Sequence, residues 1–191
     1  MNNLGYSVKN EFEPVSLPKM DIVIETERLV LRPHRISDFD AWYAMFADRE
    51  LFQFIAAPKL TREDGWNRLL RYAGHWSLFG YGLFAIFRKS DGQFVGETGL
   101  ADFHRGLGES FDPHPEAAWI ISRSMHGQGV AMEAATAAHQ WIDEALAPPR
   151  TVCIIAEENK PSLRIAGHLG YKIVGECSYK DAPLMMLERT R

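Results

Sequence analysis

The sequence predicts a single mixed α/β domain, and three observations predict it. Apolar runs of strand length alternate with amphipathic segments of helix length along the chain beyond residue 20. One such run, Ala117 to Ile121, passes through a turn with two glycines straight into an alanine-rich helical stretch, Met132 to Leu146. At 191 residues and 46% apolar, the chain is long enough to bury a substantial core and short for two ordinary domains.

Residues 1 to 20, with Pro14 and Pro18 and little periodicity, read as an N-terminal arm; residues 21 to 191 read as the domain, free of repeats, low-complexity segments and linkers. Ile22 to Arg32 alternates and predicts a strand. Ser37-Asp38 offers a cap for a helix carrying Trp42, Tyr43 and Phe46. A second helix starts at Thr61, with Trp66, Leu69, Leu70, Ala73 and Trp76 at three- and four-residue steps predicting an inward face. Tyr81 to Arg88 and Phe94 to Ala101 flank the turn signal Ser90-Asp91-Gly92, which predicts an antiparallel hairpin. An irregular charged loop, Asp102 to Pro115, leads to the strand before the glycine turn. After the long helix, Pro148-Pro149 stops helicity, Thr151 to Ala156 is a buried strand, and Asn159 caps a short helix ending at Gly170. Tyr171 to Tyr179 and Leu184 to Arg189 are the closing strands.

A net charge of −4 gives no electrostatic reason to expect nucleic-acid binding, which needs a basic face. No apolar run approaches a membrane span and the first residues lack a signal pattern, so the expectation is a cytoplasmic protein with no membrane partner. Cys153 and Cys177 have no metal-like spacing and read as buried reduced thiols; no metal is expected.

The chemistry is carried by His126-Gly127-Gln128-Gly129-Val130-Ala131. A glycine turn opening a helix points several unpaired backbone N–H groups at one place, at the positive end of the helix dipole, and thus forms a cradle for pyrophosphate. A Cβ at either glycine would hold the backbone away from an anion. Two cofactor classes use such a cradle. A dinucleotide fingerprint needs a third small residue at the sixth position and an acidic residue about twenty positions on. Here Met132 and Pro148-Pro149-Arg150-Thr151 occupy those places, a poor fit.

The same string resembles the acyl-CoA motif of the GNAT N-acetyltransferases, Arg/Gln-x-x-Gly-x-Gly/Ala, departing from it at His126. In the branch resembling ribosomal-protein N-terminal serine/alanine acetyltransferases the motif reads Trp-Gly-Lys-Gly-Tyr-Ala-Thr-Glu-Ala. Residues 126 to 134 match it at both glycines, at Ala131 and at Glu133-Ala134. Four further segments resemble that branch in its own order. They are Glu25-Thr26-Glu27-Arg28-Leu29-Val30-Leu31-Arg32, Val95-Gly96-Glu97-Thr98-Gly99-Leu100, Glu116-Ala117-Ala118-Trp119-Ile120-Ile121, and Asn159-Lys160-Pro161-Ser162-Leu163-Arg164 with Leu169-Gly170-Tyr171.

The resemblance implies a GNAT-like fold: a mixed, mostly antiparallel sheet with splayed central strands and helices on both faces. It implies acetyl-CoA as cosubstrate and direct attack by a primary amine, from a peptide N-terminus or a small molecule, in a ternary complex; a non-catalytic acyl-CoA-binding or regulatory module is the alternative. Monomer and homodimer are both compatible. In this account Gly127, Gln128, Gly129, Val130 and Ala131 hold the pyrophosphate through their backbone, His126 adds charge or only caps, and backbone groups of Ile121 and Ser122 bind the pantetheine arm. Asn159 contacts that arm, caps its helix, or both.

The reaction needs a neutral amine, yet an α-amino group has a pKa of roughly 8 and a lysine amine about 10.4, so a base is required. Glu116, which begins the strand beside the acyl arm and precedes apolar residues, is the first candidate; Glu97 in the neighbouring strand is the second. Many relatives keep an acidic tyrosine four residues before the Leu-Gly glycine, where this chain has Ala166. Ser162 stands in the branch's Asn-x-x-Ser motif as the alternative proton donor, or as a cap. For the acceptor, Trp42, Phe52, Phe54 and Trp76 form either pocket walls or core, and Asp102, Glu109, Asp112 and Glu116 would favour a cationic amine.

Overall fold

The computed structural model describes residues 22–52 and 60–191; the N-terminal arm and Phe54 lie outside the described residues, as does the side chain of Phe52. Eight strands and four α-helices follow in the order β1 (Ile24–Glu25), β2 (Leu29–Pro33), α1 (Phe39–Phe46), α2 (Arg62–Phe79), β3 (Leu83–Arg88), β4 (Phe94–Ala101), β5 (Glu116–Ile121), α3 (Val130–Ala145), β6 (Arg150–Ile155), α4 (Lys160–His168), β7 (Lys172–Tyr179) and β8 (Ala182–Thr190). They form one sheet in the order β1-β2-β3-β4-β5-β6-β8-β7. Every neighbouring pair is antiparallel except β5 and β6, which are parallel.

Strand alternation divides the core into two layers. On one face Leu83 and Ala85 pack with Phe39, Trp42 and Phe46 of α1 and with Leu69 and Tyr72 of α2. On the other, Phe84, Ile86 and Val95 pack with Val130, Ala134 and Ala138 of α3, and Leu100, Ala117 and Cys153 pack with Ile142 of α3 and Ala166 of α4. The small residues of α3 allow its close approach to the sheet.

Three expectations need correction. The strand predicted over Ile22 to Arg32 is two strands, because Thr26 folds back: its N–H donates to the Leu29 carbonyl at 3.0 Å, and its Oγ1 accepts from the Leu29 N–H at 3.0 Å. Asp38 does not cap α1 with its side chain. It is held instead by a two-pronged pair with Arg32, 2.7 Å on each oxygen, and by the Arg35 N–H. On α2 the capping box of Thr61 with Asp64 forms as the sequence suggests. The buried stripe, however, is Gly65, Leu69, Tyr72 and Trp76, with Trp66 37% and Leu70 48% exposed. Gly65 decides this rotation: a Cβ there would lie 3.1 Å from the Trp42 and Tyr43 rings, so its bare backbone lets α1 and α2 touch.

Candidate active site

β5 and β6 share a single register pair, Glu116 with Val152, beside which the Val152 N–H donates to the Pro115 carbonyl. Beyond it the two strands diverge. The gap opens into a cleft of about 360 Å³ lined by residues 116–120 of β5, Ile154, Ile155, Asn159 and Ser162 on one side, with α2 and the β7–β8 turn contributing its other walls. Since the Ser122 N–H donates to the Val95 carbonyl and alternate residues of a strand point to opposite neighbours, the backbone groups of Trp119 and Ile121 face the gap. Both backbone groups of Ser122 are used elsewhere, its carbonyl accepting from the Met125 N–H, and the Ile121 carbonyl lies 2.9 Å from His126 Nε2. His126 is thus tied to the end of the strand.

The glycine turn leaves β5 through a 3-10 turn, Arg123–Met125, and enters α3 with Gly129 as its N-cap residue. Gly127 and Gly129 have φ of 73° and 76°, in the left-handed region that disfavours a Cβ. This backbone leaves the first N–H groups of α3 without intrahelical partners. A latch holds the turn. Glu133 accepts from Thr26 Oγ1 at 2.5 Å, from the Arg28 N–H at 3.0 Å and from Arg28 Nε at 2.7 Å, while Arg28 Nη1 donates to the Gln128 carbonyl at 2.8 Å. Burial raises the Glu133 pKa, but these hydrogen bonds and the Arg28 charge bring it below the ordinary value. Two segments that carry the sequence resemblance, around Thr26-x-Arg28 and Glu133-Ala134, therefore touch.

On the α1–α2 face two buried carboxylates line the cleft. Glu97 is 2% exposed, and its oxygens accept from Trp42 Nε1 at 2.8 Å, Arg68 Nη2 at 2.8 Å and Tyr72 Oη at 2.7 Å, with His34 Nε2 at 3.3 Å. Burial alone would raise its pKa, but the Arg68 charge and the surrounding donors hold it at about 2. Glu116 is 4% exposed and, among the described residues, has one hydrogen-bonding partner, Arg105, whose Nε reaches both oxygens. Here burial wins, and the pKa is raised despite the guanidinium.

On the opposite face Asn159 caps α4 by accepting from the Ser162 N–H at 3.1 Å. The Ser162 Oγ accepts from Trp119 Nε1 at 3.2 Å, so the hydroxyl proton is free to point into the cleft. Ala166 is fully buried with Cys153, Tyr171 and Leu187.

Trp42 and Trp76 belong to the core, 0% and 3% exposed. Of the four acidic residues assigned to the acceptor, only Glu116 lines the cleft. Asp102 pairs with His104, and Asp112 accepts the N–H groups of Leu107 and Gly108, which shapes the loop. The cationic lining of Arg68, Arg71, Arg105 and Lys180 escaped the sequence reading, because four separated basic residues form no motif. Among the described residues no cluster of metal-ligating side chains occurs and no helix is long and apolar enough to cross a membrane.

The sequence profile of the acetyltransferase (GNAT) domain matches residues 28–172. Among solved structures, a protein assigned to the GNAT acetyltransferases from Bordetella pertussis is 34% identical, with a TM-score of 0.81 over 88% of this chain and 99% of that one. A ribosomal-protein alanine acetyltransferase from Vibrio fischeri shares the fold at 19% identity, with a TM-score of 0.72 over 89% and 97% of the two chains. RimL, a ribosomal alpha-N-protein acetyltransferase in complex with coenzyme A, does so at 16% identity and a TM-score of 0.70 over 88% and 98%. A glycine cradle beside a splayed parallel pair thus coincides with a family match over most of the sequence, and the chain belongs to the GNAT acetyltransferases, whose members use acetyl-CoA.

Proposed function

We propose that the protein transfers an acetyl group from acetyl-CoA to a primary amine by direct attack in a ternary complex. The observation that carries this reading is the splay of β5 from β6, a gap with the glycine cradle at its end and a buried carboxylate and a serine hydroxyl on its walls. The backbone of residues 127–131 holds the pyrophosphate, and Ile121 and Trp119 hold the pantetheine arm. His126 fixes the strand end through the Ile121 carbonyl. Asn159 orients Ser162 by capping α4.

Bound acetyl-CoA supplies the thioester. The amine nitrogen bonds to the thioester carbon, the carbon–sulfur bond breaks, and two protons move. Glu116 takes the proton from the amine: it lines the cleft, and its raised pKa makes it a stronger base than an exposed carboxylate. Ser162 gives a hydrogen bond to the departing sulfur, its Oγ already polarised by the Trp119 indole N–H. Glu97, with a pKa near 2 and donors on both oxygens, is a weak base, and its part is to position Arg68 and Trp42 behind the cleft.

One observation favours the second reading, a non-catalytic acyl-CoA-binding module: both carboxylates at the cleft are ion-paired. Calorimetry with acetyl-CoA followed by thiol release with a panel of amines separates the two. Tight binding with no release under any amine overturns catalysis.

A further inference from the structure

The cleft is lined by four cationic side chains and two carboxylates. Both carboxylates are already neutralised, Glu97 by Arg68 at 2.8 Å and Glu116 by Arg105 at 2.7 Å. Arg71 and Lys180 remain. Among the described residues neither has an acidic partner within ion-pair distance; Arg71 lies 5.7 Å from the Tyr72 ring and Lys180 Nζ 5.5 Å from the Tyr179 ring. Among the described residues, the cleft therefore carries two positive charges with no acid paired to them.

Their position separates them from the pyrophosphate cradle. Arg71 is on α2, which covers the sheet face bearing Leu83, Ala85 and Ala101, whereas the cradle opens α3 on the opposite face. Lys180 sits in the β7–β8 turn, with φ of 52°, followed by Asp181 with φ of 62°. Such a turn favours asparagine and glycine, so a lysine is held there against local preference. Two uncompensated cations repel an ammonium group that arrives alone, and attract one that brings its own anion.

We propose that Arg71 and Lys180 determine acceptor specificity by binding a carboxylate carried beside the primary amine, an inference that rests on the transferase reading above. A free amino acid with an acidic side chain and an acidic peptide N-terminus share this chemistry. A cationic acceptor, as the loop acids suggested from sequence, is disfavoured.

Thiol release from acetyl-CoA is measured with glutamate against glutamine amide, and with Ala-Glu-Glu against Ala-Gln-Gln and Ala-Lys-Lys. The expected result is a kcat/KM at least about tenfold higher for the acidic member of one set, carried mainly by KM and shrinking as salt is added. The set that responds identifies the source of the carboxylate. Arg71→Gln, at an exposed helix position, and Lys180→Gly, which relaxes the turn, should each cut that ratio at least about threefold without lowering the melting temperature. Arg71→Glu should invert the preference. Release with no preference for the acidic members, or a preference untouched by all three variants, overturns the inference and leaves the transferase reading standing. Acetyl-CoA binding with no release under any amine overturns both.

Discussion

Arg105 Nε sits between the two carboxylate oxygens of Glu116, 2.9 Å from one and 2.7 Å from the other, while its guanidinium stacks 4.6 Å from the Phe103 ring and 4.8 Å from the Tyr179 ring. The pair sets how basic the carboxylate is. Burial pushes the Glu116 pKa up and the guanidinium pulls it back. A base works above its own pKa, so Arg105→Gln should move the acidic limb of the kcat/KM profile to higher pH. A profile that does not move would show that Glu116 titration is not part of the rate.

Glu116→Gln removes the proposed base while keeping the volume. Turnover at neutral pH should fall by roughly 10²-fold, with partial recovery as rising pH deprotonates the amine unaided. Affinity for acetyl-CoA should hardly change, because Glu116 faces the α1–α2 side and the cradle lies on the other. Steady-state rates across pH, with calorimetry for the cofactor, test both statements; wild-type turnover in the variant would exclude Glu116 as the base.

Gly129→Val tests the cradle. A Cβ at Gly129 meets only Arg28 Nη2, at 3.5 Å, so the substitution is not blocked by packing. Its cost comes from the left-handed backbone, about 1–2 kcal/mol for a residue with a Cβ, and from the bulk it places where an anion must approach. Acetyl-CoA binding should weaken at least about tenfold, or roughly 1.4 kcal/mol. Calorimetry on a variant that still melts cooperatively measures it; unchanged affinity would remove the cradle from cofactor binding.

Glu97 gives a stability test with a definite sign. Its pKa is depressed from 4.5 to about 2 in the folded protein, so its contribution is complete above 4.5 and disappears as pH falls through about 2. Glu97→Gln should flatten the stability curve over that window. At neutral pH it should cost roughly 3–5 kcal/mol, because Arg68 loses its counter-charge and the amide NH2 replaces one of the two oxygens that accept from Arg68 and the Trp42 indole. Denaturant midpoints at several pH values read both effects; an unchanged acid limb would transfer it to Asp38 and the other paired acids.

The sheet and the cradle were legible in the sequence because each rests on local chemistry: alternation within a strand, a glycine pair at a helix start, the Thr61 and Asn159 caps. The splay was legible only through the resemblance of five segments to one family. What local patterns do not encode is which distant groups meet. The Glu133 latch joins residues 105 positions apart in sequence, and the Arg68, Tyr72 and Glu97 cluster depends on how α2 is rotated. That rotation follows from Gly65, whereas a periodicity of apolar residues favoured Trp66 and Leu70, which are exposed. The basic lining of the cleft was illegible for the same reason. Asp102 and Asp112 are spent within their loop, and the basic residues that line the cleft come from three separate elements.

Ser162 and Asn159 occupy one helix turn but divide its work, and two substitutions separate them. The Asn159 side chain takes the Ser162 N–H, whereas the Ser162 hydroxyl takes the Trp119 indole N–H and borders the cleft. Asn159→Ala removes a cap and should cost about 1 kcal/mol of stability. Ser162→Ala leaves that cap in place, since only its backbone N–H takes part. A coenzyme A thiol resembles cysteine, with a pKa of roughly 8.5, and leaves readily, so one hydrogen bond to the sulfur matters modestly. The chemical step of Ser162→Ala, followed in single turnover, should slow about three- to thirtyfold, near 0.7–2 kcal/mol, with little change in melting temperature. Ala166→Tyr should not restore it: Ala166 is fully enclosed by Cys153, Tyr171 and Leu187, and a phenol there overpacks the core at a cost of about 1–3 kcal/mol. A Ser162→Ala variant with an unaltered chemical step would leave the thiolate to be protonated by water.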